Sequence, residues 1–221
     1  MTCELDRFLQ QRIPGAAVCP QRLPGCGALQ LYLIDPRSVQ RHYSTEQMLA
    51  IMQQPAYWSL CWGSGLALAR YLLNQPQRVA GKRVLDFGAG SGVVAVAAAL
   101  AGARQVIACD IDPQALAATS ANARLNGVEV ELLDDFAGLE APVDLLVAAD
   151  VLYDRANLPL LEQFCRCADS VLVGDSRIRN FQVAPYRRIA RMSCGTFPDL
   201  DEFEEFSQVS LYETQPEAGS P

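Results

Sequence analysis

Residues 84–92 read VLDFGAGSG: an apolar run, an acid, then glycine at every second position. No other stretch restricts the fold as strongly. The apolar run reads as a buried strand. The glycines permit a sharp turn and a close approach of backbone to a ligand. VVAVAAALA follows directly and predicts a helix that packs against the strand it leaves. A strand, a tight turn and a helix form the first half of a βαβ unit.

The rhythm then repeats. QVIACD predicts a second strand, with Asp112 as N-cap and Pro113 at the first position of a helix that runs to Leu125, where Asn126-Gly127 stops it. VEVELL and VDLLVAAD predict the third and fourth strands, NLPLLEQFCRCA a helix, and SVLVGD the fifth strand. RRIARMSC and FSQVSLYE have strand character with no clear helix between them, and predict an antiparallel hairpin. The fold class expected is α/β: a doubly wound, mostly parallel, seven-stranded Rossmann-like sheet with an antiparallel C-terminal edge hairpin.

The lead-in differs. Residues 1–43 carry prolines at 14, 20, 24 and 36 and read as irregular. Ser44 and Gln47 form a capping box that starts a short helix to about Gln53. GLALARYLLN predicts a helix that ends near Asn74. We therefore expect an N-terminal extension over 1–54 and the main domain over 55–221.

Composition excludes several function classes. Half of the 221 residues are apolar and 19% are charged, as in globular chains. The longest apolar run, VVAVAAALAGA, is closely followed by Arg104 and is too short to span a bilayer. The N-terminus lacks the basic-then-apolar order of a secretory signal, so a cytoplasmic protein is expected. A net charge of −7 opposes sequence-independent nucleic-acid binding. Eight cysteines occur with no CxxC pair, and His42 is the single histidine, so no metal site is expected and the thiols read as reduced and mostly buried.

Two nucleotide ligands compete for the glycine loop. A dinucleotide site uses G-x-G-x-x-G, whereas this loop is G-x-G-x-G with valine at 93. Asp86, two residues before the first glycine, would repel a pyrophosphate and attract an ammonium group. S-adenosylmethionine (SAM) carries an ammonium beside a carboxylate and a sulfonium. Asp86 is then expected to face the cationic end, while Gly88 and Gly90 admit the amino-acid part. Asp110, ending the second strand, can accept both ribose hydroxyls, and Ile111 follows it. At the third strand end, Asp134, Asp135 and Phe136 offer a carboxylate to the adenine amine.

Residues 82–153 resemble the core of a class I, seven-strand SAM-dependent methyltransferase: DFGAGSG is similar to its first motif and ACDIDPQAL to its second. PAYWSLCWGSGLALARYLL and D-x-x-Y, here Asp150 to Tyr153, resemble the seven-strand protein lysine methyltransferases. Together with Val173-Gly174-Asp175, they most resemble the electron transfer flavoprotein beta subunit lysine methyltransferases. Ser176 departs from that pattern, which has proline there. The resemblance spans about Pro55 to Arg179. It implies a protein substrate presenting a lysine, with that flavoprotein subunit as the named candidate, and Trp62 covering the SAM.

The fourth strand ends in AADVLYD. No Asn/Asp-Pro-Pro-Tyr/Phe motif occurs here, which argues against methylation of adenine or amide nitrogens. A lysine amine fits better. It must lose a proton, which costs about 4 to 5 kcal/mol between its reference pKa and pH 7. Asp150 is expected to attract and orient the ammonium, and Tyr153 to hydrogen-bond the amine or wall its channel, with Ala149 lining the strand end. The alternative for Asp150 is a cap on the next helix, a position better suited to Asp154. The acidic stretch 199–206 could meet a basic substrate surface. Competing functions are a small-molecule N- or O-methyltransferase and a SAM-binding protein without catalysis.

Overall fold

The computed structural model describes residues 2–151, 157–178, 181–199 and 207–214. The expectations placed on Tyr153, Asp154 and residues 200–206 fall outside them. Chain order among the described residues is α1 Thr2–Arg12, β1 Val18–Arg22, β2 Gln30–Ile34, α2 Thr45–Gln53, α3 Gly63–Asn74, β3 Arg83–Phe87, α4 Val93–Leu100, β4 Gln105–Cys109, α5 Pro113–Leu125, β5 Glu131–Leu133, β6 Val143–Ala149, α6 Leu158–Cys167, β7 Ala168–Asp175, β8 Tyr186–Ser193 and β9 Gln208–Thr214.

Seven strands form one sheet in the order β5-β4-β3-β6-β7-β9-β8. The first five are parallel; β9 joins β7 and β8 antiparallel to both. The expected edge hairpin exists, and its later strand lies inside its earlier one. β8 therefore forms the edge, and Arg187, Arg188 and Arg191 on it are exposed. Charged side chains on an edge strand discourage pairing with another chain.

Alternation along the strands builds two cores. Val84, Leu145, Val147 and Leu172 face α3 and α4; Leu85, Leu146, Val171 and Val173 face α6 with Phe164. In α4, VVAVAAAL, six of eight residues are buried, because small side chains let the helix lie close to the sheet. Successive crossovers run outward from β3 to β4 and β5, then return to β6 on the other side of β3. The strand ends at this reversal form the crevice where ligands bind in such sheets.

Residues 1–43 are not irregular, contrary to the sequence reading. They form α1 and a two-stranded antiparallel sheet, β1 with β2. Pro20 misled that reading: it lies within β1 of this isolated pair, where proline is tolerated because the strand has an unpaired edge. The pair is joined to α5 by asparagines. Asn122 Oδ1 accepts from the Tyr32 N–H at 2.6 Å, and the Asn126 amide both accepts from and donates to the Gln30 backbone. One turn apart on the helix, they meet alternate residues of β2 as a neighbouring strand would. Leu5, Leu9, Ile34 and Trp58 pack on Ala115, Ala118 and Ala121 of α5 in a third cluster. Trp58 is thus a packing residue.

The capping box of α2 is present, with Ser44 accepting from the Gln47 N–H and Gln47 accepting from the Ser44 N–H. None of the residues of α2 is buried, and Met48, Leu49 and Met52 are exposed. β5 is shorter than VEVELL predicts, pairing with β4 over Ile107 to Cys109 alone.

Candidate active site

The glycine loop follows β3. Gly88, Gly90 and Gly92 all have positive φ, at 70°, 53° and 74°. The loop is tied to the end of β4: the Gly88 and Ala89 N–H groups donate to the Cys109 carbonyl, and the Gly90 N–H donates to Asp110 Oδ2 at 2.8 Å. A Cβ at Gly92 would lie 2.8 Å from Thr119 of α5, so the turn needs glycine for space as well as for conformation.

Asp86 does not stand in the open crevice. It is 1% exposed and lies beneath the loop, where Oδ2 accepts from the Ala95 N–H at 2.9 Å. Period-2 alternation turns it toward α4 together with Val84. Gly92 caps α4 without a side chain, so a carboxylate from the preceding strand satisfies one of the helix's free N–H groups. Burial pushes its pKa to about 7; the Ala95 hydrogen bond opposes the shift and the charge of Asp110 adds to it. Its carboxylate makes no other hydrogen bond among the described residues.

Asp110 sits at the crevice, at the end of β4. Its Oδ1 accepts from the Asp112 N–H and its Oδ2 from the Gly90 N–H, and desolvation raises its pKa. Ile111 beside it is 89% exposed, an apolar side chain left uncovered next to a carboxylate. Asp112 caps α5 through the Gln114 N–H and pairs with Arg12, which also donates to the Pro55 carbonyl.

The third strand end divides. Asp134 and Asp135 are exposed, with Asp135 Oδ1 accepting from the Ala137 N–H. The Phe136 ring instead packs edge-on against Phe87 and Phe164, at centroid distances of 5.2 and 5.8 Å. A groove of about 440 Å3 opens here, lined by Phe87, Phe136, Leu139, Leu160 and Arg166 among others. Gly88, Gly90 and Asp110 do not line it, so this groove is separate from the strand-end crevice.

At the end of β6, Ala149 is half-buried and Asp150 has φ 48°, the one non-glycine residue with positive φ among the described residues. Such a conformation costs an ordinary residue about 1–2 kcal/mol, and aspartate bears it better than most. Asp150 Oδ1 accepts from Ser64 Oγ at 2.6 Å, Ser176 Oγ at 3.0 Å and the Ser176 N–H at 3.3 Å. Its own N–H donates to the Gly174 carbonyl. Oδ2 takes no hydrogen bond among the described residues. Asp150 is therefore not a cap on α6, which starts after Asn157.

Ser64 lies in the first turn of α3, for which Trp62 is the N-cap residue, so the lead-in WGSG delivers Ser64 to this strand end. The Trp62 indole N–H donates to the Tyr57 carbonyl, and the two rings lie 5.6 Å apart. A Cβ at Gly63 would fall 2.5 Å from the Cys194 carbonyl, which explains the first glycine of that motif. The two halves of the crevice adjoin: Val151, next to Asp150, would contact a Cβ built on Gly88 at 3.4 Å.

Ser64 and Ser176 were not legible as site residues, because no local pattern marks a serine that bonds a carboxylate 86 or 26 positions away. All cysteines among the described residues are free thiols, and no cluster there could hold a metal. No helix among the described residues is long and apolar enough to cross a membrane.

Comparison with known proteins bears on family and fold. The sequence model of the ribosomal protein L11 methyltransferase family matches residues 67–157. An L11 methyltransferase of Alteromonas mediterranea is 52% identical over 88 residues, covering 38% of this chain and 28% of that protein. The electron transfer flavoprotein beta subunit lysine methyltransferase of Xenopus laevis is 39% identical over 210 residues, covering 82% of this chain and 85% of that protein. The chain belongs to the electron transfer flavoprotein beta subunit lysine methyltransferase family. The Danio rerio member is 39% identical over 163 residues, and the chain spans 63% of its length. Among solved structures, a 16S rRNA methyltransferase of T. thermophilus superposes on 90% of this chain and 50% of its own at a TM-score of 0.56 and 15% identity, a likeness of fold.

Proposed function

We propose that this chain is a SAM-dependent protein-lysine N-methyltransferase whose substrate is the beta subunit of electron transfer flavoprotein. The observation that carries the reading is the Asp150 carboxylate: Oδ1 is taken by two serines, Oδ2 takes no hydrogen bond among the described residues, and Val151 abuts the glycine loop. The names borne by the relatives support the substrate.

The residues fit SAM. Positive-φ glycines at 88 and 90 bring bare backbone to the position of the amino-acid part. Asp110 and the uncovered Ile111 offer a carboxylate and an apolar surface side by side, which suits a ribose and an adenine. SAM supplies an electrophilic methyl group on a sulfonium, so the protein needs little acid catalysis.

The work left to the chain is to select a cationic amine, orient it and ease its deprotonation. Asp150 Oδ2 attracts the lysine ammonium and accepts one of its N–H groups, which aligns the nitrogen. Such positioning supplies much of the rate in a displacement of this kind. Desolvation of the amine lowers its pKa and favours the nucleophilic form.

The test is direct. The purified protein is incubated with methyl-labelled SAM and the flavoprotein beta subunit, and the product is digested and analysed by mass spectrometry. Label on lysine supports the proposal; label on another residue type, or none with active cofactor binding, contradicts it.

A further inference from the structure

The proposed reaction explains why a carboxylate stands at the end of β6. It does not explain why this one is held in a left-handed backbone by side chains from two other elements. Oδ1 of Asp150 receives three hydrogen bonds: one from Ser64 Oγ in the first turn of α3, and two from Ser176, through Oγ and N–H, just after β7. Ser64 is fully buried, so its hydroxyl has no water to turn to. Where the family resemblance implies proline at 176, this chain has serine, which provides two donors that proline lacks. Hydrogen bonds to an ionised carboxylate are short and about twice as strong as neutral ones.

The turn that carries Ser176 is itself fixed. Asp175 is 1% exposed, and its Oδ1 accepts from the N–H groups of Arg177 and Ile178 at 2.8 and 2.7 Å. The Asp150 N–H donates to Gly174 on the other side of Asp175. Asp150 is thus bonded to the residues before and after Asp175, and burial together with the charge of Asp150 pushes the Asp175 carboxyl up. Asp175 Oδ2 is buried with no partner among the described residues. Two carboxylates this near each other tend to repel, and an unrestrained Asp150 side chain would rotate away.

Resting on the reading of the site as a lysine methyltransferase, we propose that Ser64 and Ser176 are positioning residues that lock Asp150 Oδ1 and so present Oδ2 to the incoming ammonium. Neither serine touches the substrate. The backbone strain at Asp150 is sustained by these bonds and serves the same end.

The experiment compares the wild type with Ser176→Ala, Ser176→Thr and Ser64→Ala on the unmethylated flavoprotein beta subunit. It measures kcat and KM, the Kd for S-adenosylhomocysteine by calorimetry, and the melting temperature. Ser176→Ala should lower kcat/KM on the order of 10- to 100-fold, the loss expected for hydrogen bonds to a charged group. The Kd should be unchanged, and Ser176→Thr, which keeps the hydroxyl, should recover most of the rate. Ser64→Ala should lower kcat/KM to a similar extent. Unchanged kcat/KM in both alanine variants overturns the proposal, as does a loss that threonine does not restore or one matched by a weaker Kd. A wild type that transfers no methyl to lysine overturns the functional reading, and the proposal with it.

Discussion

Ser64 and Asp150 lie 86 positions apart in sequence and 2.6 Å apart in space. That hydrogen bond joins the aromatic lead-in to the end of the fourth parallel strand. It makes Asp150 part of an assembled site rather than a loop acid. Replacing Asp150 with asparagine keeps the shape and one acceptor for the serines but removes the charge. We expect kcat/KM to fall roughly 10²- to 10⁴-fold, with the Kd for S-adenosylhomocysteine little changed. Steady-state kinetics beside calorimetry checks both halves.

Asp86 makes stability depend on pH. Its folded pKa is about 7 against an ordinary value of 3.8, raised chiefly by burial. The folded state therefore holds a proton that the unfolded state releases, and the stability contributed by that proton is lost as pH rises from about 4 to 7. Asp86→Asn removes this dependence. The stability of the variant relative to wild type should climb across that window, by at most about 4 kcal/mol, and level off above pH 7. Urea melts at several pH values would show it; a parallel pair of curves would refute the account of Asp86.

Asn122 joins three parts of the molecule. Fully buried in α5, it accepts from the Tyr32 N–H of β2 and donates to the Ser91 carbonyl of the glycine loop. Asn122→Ala strands both backbone groups and should destabilise the protein by about 2–4 kcal/mol. A change within 0.5 kcal/mol by chemical denaturation would mean that the N-terminal hairpin is not coupled to the loop as described.

Gly92 has no room for a methyl group. Its φ is 74°, and an added Cβ would lie 2.9 Å from the backbone of Thr119. Gly92→Ala should cost about 1–3 kcal/mol and weaken S-adenosylhomocysteine binding, because α4 and α5 must separate beside the loop. Thermal melts with and without the ligand measure both effects.

Legibility in the sequence followed the range of the interactions. Features set by neighbours along the chain were readable: the glycine turn, the Asp112 cap with Pro113, the capping box at Ser44 and the sequence of strands and helices. Features set by contacts between distant segments were not. The hairpin of residues 18–34 was hidden because prolines mask strands and because its support is the asparagine pair on α5. Asp86 was read as facing a ligand because an acid before a glycine loop invites that role; alternation along β3 turns it under α4 instead. Phe136 was read as part of the adenine site, and its ring packs against Phe87 and Phe164.

The central claim is that this protein moves a methyl group to a protein lysine under the control of Asp150. The most direct test incubates wild type and Asp150→Asn with methyl-labelled SAM and an extract of cells lacking the gene, then separates proteins from small molecules. The account predicts label on lysine in one or a few protein bands with wild type and none with the variant. Label confined to small molecules, or equal labelling by the variant, would contradict it.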